Sequence, residues 1–283
     1  MSFLTLRVGQ ETAYFDASIA KLGTELRDQY QSAQPFPYIV IDNFLPEAIL
    51  DRLLVEWPDE TLQVYNRVQE RLKFQYNPED LKSTFSRSLF YAFNAAPFIR
   101  FVQNVTGISG LLPDPYFNGG GCHETKTGGH ISVHADFNLN KSMRILRRIN
   151  VIIYLNKDWR PEYAGNLELW SKDMKTRLKS VEPVFNRCII FNTDEDSFHG
   201  HPDPLTTPEG LSRRSLALYY YTASDAIFDE HRFHTTIYKV RPKTRDQLDY
   251  KYLFRDFMLD LTPPFAKRIL RRVARRADPP PNV

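Results

Sequence analysis

The chain has 283 residues, of which 42% are hydrophobic, 13% aromatic and 25% charged, a balance that excludes disorder and is ample for one folded domain with a sizeable core. Its two cysteines, Cys122 and Cys188, imply no disulfide framework and point to a reducing, cytoplasmic setting, while the absence of a basic, apolar leader or a long apolar run argues against secretion and membrane spanning. The net charge of +3 hides a basic cluster, Lys267, Arg268, Arg271, Arg272, Arg275 and Arg276; without it the chain is mildly acidic, which argues against a nucleic-acid partner.

In chain order, residues 14–33 are predicted to be a helix from the spacing of Ile19, Leu22 and Leu26, stopped by Pro35 and Pro37. PYIVIDNF at 37–44 reads as a strand and PEAILDRLLVEWP as the helix after it, with Ile49, Leu53 and Trp57 recurring every four residues. Residues 80–107 read as one or two helices broken by Pro97, with Phe98, Phe101, Val102 and Val105 as the apolar stripe. From about 113 to 222 the texture becomes short β-rich runs separated by Gly, Pro, Asn and Asp, the pattern of a sandwich or barrel. Beyond 224 the chain is mixed and polar, with a helix expected over 263–277 and a tail, DPPPNV, that should fray.

The chemistry concentrates in the β-rich part. HISVHADF, residues 130–137, alternates polar and apolar side chains without a break, so His134 and Asp136 lie on one face of a half-buried strand and can grip one metal. A third ligand is available at His199, where the strand in CIIFNTDEDSFHGHP runs into a polar loop, with His201 as the second choice. Two imidazoles and one carboxylate on one face of an octahedron leave three positions for a chelating co-substrate and O2, as in non-haem Fe(II) oxygenases, whereas zinc usually takes tetrahedral sites.

A chelating co-substrate with a distal carboxylate needs a cationic anchor, and a guanidinium supplies a bidentate one. In RRSLALYYYT, residues 213–222, alternation separates Arg213, Ser215, Ala217 and Tyr219 from Arg214, Leu216, Leu218 and Tyr220. The first set is smaller and more polar, which favours Arg213 and keeps Arg214 as the alternative. The same parity in RINVIIYLN puts Ile149, Val151, Ile153 and Leu155 on an apolar face and Asn150, Ile152 and Tyr154 on the other. Tyr154 then offers its hydroxyl to the same carboxylate.

These segments come in a telling order: PYIVIDNFLP at 37–46, HAD at 134–136, YLNKDW at 154–159 with AGNLELW at 164–170, SFHGHP with its His199, and RRSLALYYY at 213–221. Over roughly residues 113–222 the chain resembles the prolyl 4-hydroxylase-like branch of the 2-oxoglutarate and Fe(II)-dependent oxygenases. The resemblance implies a mainly β fold: a double-stranded β-helix, or cupin-like jelly roll, with N-terminal helices and a C-terminal helix. It implies Fe(II) on His134, Asp136 and His199, 2-oxoglutarate on Arg213 and Tyr154, O2 as the oxidant and ascorbate as a candidate reductant. The reaction implied is hydroxylation of an unactivated C–H bond coupled to decarboxylation of 2-oxoglutarate to succinate. Its substrate would be a prolyl or other peptidyl residue, an amino acid or a small metabolite. With Asp136 in place, hydroxylation is expected rather than halogenation.

The domain reading is a single unit over 1–283: a helical N-terminal part at 1–112, the jelly-roll core at 113–222 and an extension at 223–283. Three other histidines are weighed more plainly: His123 either lines the substrate mouth or supports the metal ligands from behind, or is a loop residue bonded to backbone, and His231 and His234 are structural. Of the tyrosines at 219–221, only Tyr219 shares the Arg213 face. The helix at 263–277 carries Phe265, Ile269, Leu270 and Val273 opposite its basic residues, so it is read as a docking helix with peripheral contact to an anionic surface as the alternative. The rival for the whole chain is a non-catalytic jelly-roll module held on a membrane or polymer by that helix.

Overall fold

The structure is a computed structural model that describes residues 2–59, 63–140, 142–223 and 234–247. The chain divides into two compact units, Met1–Asp246 and Gln247–Val283. Of the second only Gln247 is described, so the basic helix read at 263–277 lies outside the described residues, as does His231.

The first unit opens with a short hairpin of β1 (Leu6–Val8) and β2 (Ala13–Phe15). The helix expected over 14–33 is therefore later and split, into α1 (Ile19–Glu25) and α2 (Arg27–Ser32), because strand pairing takes up residues 13–15 and the chain bends at Leu26. β3 (Tyr38–Ile41) and α3 (Glu47–Val55) follow as expected, with Ile49, Leu50 and Leu53 buried. A hairpin of β4 (Gln63–Tyr65) and β5 (Glu70–Tyr76) then interrupts the region read as helical.

Two more helices come next, α4 (Thr84–Phe93) and α5 (Ala96–Thr106). The Ser83 hydroxyl accepts the Ser86 amide at 3.0 Å and caps α4. Pro97 does not break a helix here but sits in the first turn of α5, where its missing N–H costs nothing. Gly107 ends α5 in a left-handed conformation, φ 76°.

The rest is strand: β6 (Leu112–Pro113), β7 (Gly121–Ala135), β8 (Leu139–Asn140), β9 (Ile145–Tyr154), β10 (Leu167–Trp170), β11 (Arg177–Val181), β12 (Cys188–Asn192), β13 (His199–His201), β14 (Arg213–Thr222) and β15 (Ile237–Tyr238). They form a curled sheet in the order β11-β10-β13-β7-β14-β9-β12-β3, with β5 and β15 also paired to β7. Every pairing between these strands is antiparallel. β7 joins the two halves of the roll, since its first residues pair with β14 and its last with β13. The N-terminal part is thus mixed rather than helical: β3 and β5 belong to the main sheet, and β15 extends it past residue 222.

Alternation along β9 and β14 divides the interior. Ile149, Val151, Ile153, Leu216, Leu218 and Tyr220 pack with the helices in the largest core, whereas Tyr154, Leu167, Leu169, Ile189 and Phe191 form a second cluster. The apolar face read on β9 is therefore the helix-covered one. Cys122 and Cys188 are buried and unpaired with each other. Among the described residues no helix is long and apolar enough to cross a membrane.

Candidate metal centre

His134 on β7 and His199 on β13 are register partners across the sheet, and their rings lie 4.6 Å apart. Asp136 follows the end of β7 and turns its carboxylate to both: Oδ1 is 3.6 Å from His134 Nε2 and Oδ2 is 3.4 Å from His199 Nε2. One donor atom from each of the three lies within 4.8 Å of the others, a set that could hold a metal ion.

The ring orientations are fixed from behind. His134 Nδ1 lies 2.9 Å from the Ser132 carbonyl and His199 Nδ1 lies 2.8 Å from the Ser197 carbonyl. Each bond makes Nδ1 the protonated nitrogen and leaves the Nε2 lone pair aimed at the shared centre, the tautomer that a metal needs. Burial, reinforced by the neighbouring His134, pulls the His199 pKa down to about 4, so proton competition there is confined to acid.

Asp136 is held more firmly. The Asn150 amide donates to its Oδ2 at 2.8 Å, and Arg147 Nη2 sits 3.0 Å from the same oxygen. Arg147 also donates through Nε and Nη2 to Asn150 Oδ1, at 2.9 and 2.7 Å, and its guanidinium carbon lies 3.5 Å from the Tyr219 ring centroid. Burial would raise the Asp136 pKa, but the effects led by the charge of Arg147 overcome it and hold the carboxyl well below its ordinary value.

Arg147 escaped the sequence reading for a specific reason. Strict alternation assigns it to the helix-covered face with Ile149, but the pairing of β9 with β14 slips between Tyr220 and Tyr221, which face Ile149 and Arg147. That bulge reverses the parity and brings Arg147 round to Asn150 and Asp136. Asn150 was legible, since parity had put it with Tyr154. Tyr219, read as a pocket candidate, serves as the ring beneath Arg147 and donates its hydroxyl to the Gly119 carbonyl at 2.7 Å.

The two candidate anchors separate cleanly. Arg214 donates from Nε to Glu124 Oε1 at 3.2 Å and lies 5.2 Å over the Trp57 ring. Arg213 is buried, donates from Nε to the Gly165 carbonyl at 2.8 Å, and lies 5.0 Å from the Tyr154 ring centroid. Among the described residues no carboxylate pairs with Arg213, and the buried Tyr154 hydroxyl makes no hydrogen bond of good geometry. A buried cation with no described carboxylate partner, beside a buried phenol whose electrostatic partner is that same guanidinium, is a fit for a carboxylate ligand, because a buried charge is costly to leave without a counter-ion. Gly165 leaves room for this: at φ 77°, a Cβ there would lie 3.1 Å from Arg213 Cδ.

The remaining histidines fall away from the metal position. His123 lies on β7, not in a loop, with its Nε2 2.9 Å from the Gly119 carbonyl. His201 is buried but is not one of the converging donors. The His234 backbone N–H donates to Asn138 Oδ1 at 2.9 Å, a structural contact. The sequence reading also missed a pair on β5, Glu70 and Lys73, 3.1 Å apart and mostly buried.

Fold and site together define a class: a double-stranded β-helix that offers a divalent metal two imidazoles and one carboxylate from one side. The comparisons with known proteins carry this further. The sequence model of the 2OG-Fe(II) oxygenase superfamily matches residues 120–221, the stretch that contains the three converging donors and Arg213. The chain is 27% identical over 195 residues to the prolyl 3-hydroxylase OGFOD1 of Mus musculus, a match that covers 67% of this chain and 33% of the relative. It thus spans about a third of that protein's length.

Among solved structures, a Trichoplax adhaerens prolyl hydroxylase in complex with a peptide fragment of the hypoxia inducible factor oxygen degradation domain superposes with a TM-score of 0.51 at 15% identity, over 72% of this chain and 90% of that one. A Pseudomonas putida prolyl-4-hydroxylase gives 0.49 at 16% identity, over 71% and 100%. At 15% identity the likeness to the Trichoplax adhaerens structure speaks for the fold alone.

Proposed function

We propose that the chain is an Fe(II)- and 2-oxoglutarate-dependent dioxygenase of the hydroxylase type, coupling decarboxylation of 2-oxoglutarate to succinate with hydroxylation of a C–H bond. The observation that carries this is the convergence of His134, Asp136 and His199, backed by a buried Arg213 that no described carboxylate neutralises. In this reading His134, Asp136 and His199 hold the iron. Arg213 and Tyr154 bind the distal carboxylate of 2-oxoglutarate. When bound, the metal supplies the O2 chemistry, through the positions that a facial set of three ligands leaves open.

The protein's share is placement. The carbonyls of Ser132 and Ser197 fix the two imidazoles, Arg147 and Asn150 keep Asp136 charged and aimed, and Gly165 holds Arg213 in line. The rodent relative is named a prolyl 3-hydroxylase and the Trichoplax adhaerens structure holds a peptide, so a proline-containing peptide is the first substrate class to test. The test of the reaction is direct. Anaerobic addition of Fe(II) and 2-oxoglutarate should produce a weak visible charge-transfer band, and Asp136→Ala should abolish both the band and succinate formation. Undiminished succinate formation in that variant would remove Asp136 from the mechanism.

A further inference from the structure

His201 is 3% exposed and neither of its ring nitrogens has a hydrogen-bond partner. Every other histidine described on β7 and β13 has a ring nitrogen resting on a backbone carbonyl: His123 on Gly119, His130 on Val68, His134 on Ser132 and His199 on Ser197. A buried imidazole with two idle nitrogens is costly, and nothing in the metal set uses it.

Its place in the sheet says what it could serve. His201 lies two residues beyond His199 on β13, hence on the same side of the strand. The register slip here is on the partner strand, since His199 faces His134 and His201 faces Ile131, so the alternation of β13 is intact. On its other side, β13 pairs with β10 through His199–Leu169 and Gly200–Glu168, a run that brings His201 toward Leu167. Two residues before Leu167 is Gly165, whose carbonyl ties down Arg213. An imidazole has at least one N–H to donate, and this ring lies on the side of β13 that runs from the metal ligand toward the guanidinium.

Building on the proposed function, we infer that His201 is a third binding residue for the distal carboxylate of 2-oxoglutarate, donating a hydrogen bond beside Arg213 and Tyr154. This replaces its reading as an alternative metal ligand with a role at the far end of the co-substrate.

The test is anaerobic titration of Fe(II)-loaded protein, followed through the charge-transfer band, with 2-oxoglutarate and with 2-oxobutyrate, which keeps the chelating end and lacks the distal carboxylate. His201→Ala should weaken 2-oxoglutarate binding roughly 10- to 100-fold, the range for a hydrogen bond to a charged group, and leave 2-oxobutyrate and Fe(II) affinities within about twofold. His201→Gln, which retains an N–H donor, should recover part of the loss and supplies the answer if the alanine variant does not fold. An unchanged 2-oxoglutarate affinity in either folded variant, or equal losses for the two acids, overturns the assignment. Lost Fe(II) affinity would return His201 to the metal and overturn it likewise. If wild-type protein gives no band with 2-oxoglutarate, the functional reading beneath it fails first, an outcome that a defect confined to the variants cannot mimic.

Discussion

Replacing Arg147 with methionine isolates what a buried cation does for a metal carboxylate. Arg147 and Asp136 side chains are 2% and 11% exposed and their charged atoms lie 3.0 Å apart. At an effective dielectric constant of about 20, two unit charges at that separation attract by roughly 5–6 kcal/mol, and removing one partner of a buried pair costs about 3–5 kcal/mol because the other is left uncompensated. The carboxylate has an escape, which is to take up a proton. From its ordinary value of 3.8, that limits the penalty to about 4 kcal/mol at pH 7.

The variant without metal should therefore melt about 6–15 °C below wild type at pH 7, at roughly 2–4 °C per kcal/mol for a domain of this size. The sign of its pH dependence follows from the same linkage. In wild type the depressed Asp136 pKa contributes stability above about pH 4, whereas in the variant the unpaired carboxyl has a raised pKa and loses stability as pH rises through that range. The gap in melting temperature should thus narrow from pH 7 to pH 5. Adding Asp136→Asn to Arg147→Met, which removes both charges, should recover most of the loss. Thermal melts of metal-free wild type, both singles and the double across pH 5–7 decide it: a loss that is small, independent of pH, or additive in the double variant would mean that Arg147 acts by packing on Tyr219 and not through Asp136.

Two further outcomes follow. Arg213→Leu should abolish 2-oxoglutarate binding measured by the charge-transfer band, while Arg214→Leu, which breaks only the partly exposed contact with Glu124, should leave that affinity within about threefold; the reverse order would restore Arg214 as the anchor. Because the His199 pKa falls to about 4 from 6.5, the unfolded chain binds more protons than the folded one between those values, so His199 should cost the metal-free protein on the order of 3 kcal/mol as pH falls from about 6.5 to 4. Urea denaturation of wild type and His199→Gln checks this, and equal pH dependence in the two would remove His199 as the source.

How much was legible from the chain can be judged residue by residue. Counting put His134 and Asp136 on one strand face, because alternation is a local rule, and it likewise grouped Tyr154 with Asn150 and separated Arg213 from Arg214. Local signals also placed β3, α3 and the two helices between 84 and 106, although Pro97 was misread as a break because the first turn of a helix and its interruption look alike in sequence. His123, for which a loop was one of the readings, stands on a strand, since β7 already begins at Gly121.

What the sequence by itself determined is the set of side chains that strand periodicity aligns: the ligand types, their order and the face on which they stand. Tertiary structure alone decided the rest. The meeting of β7 with β13 that makes one centre of His134 and His199, the recruitment of β3, β5 and β15 into the roll, and the slip in β9 that turns Arg147 toward Asp136 all depend on pairing between segments distant in the chain. The physical reason is that the energy of a ladder belongs to two strands at once. A bulge is a property of their registration, and no count along either strand reveals it.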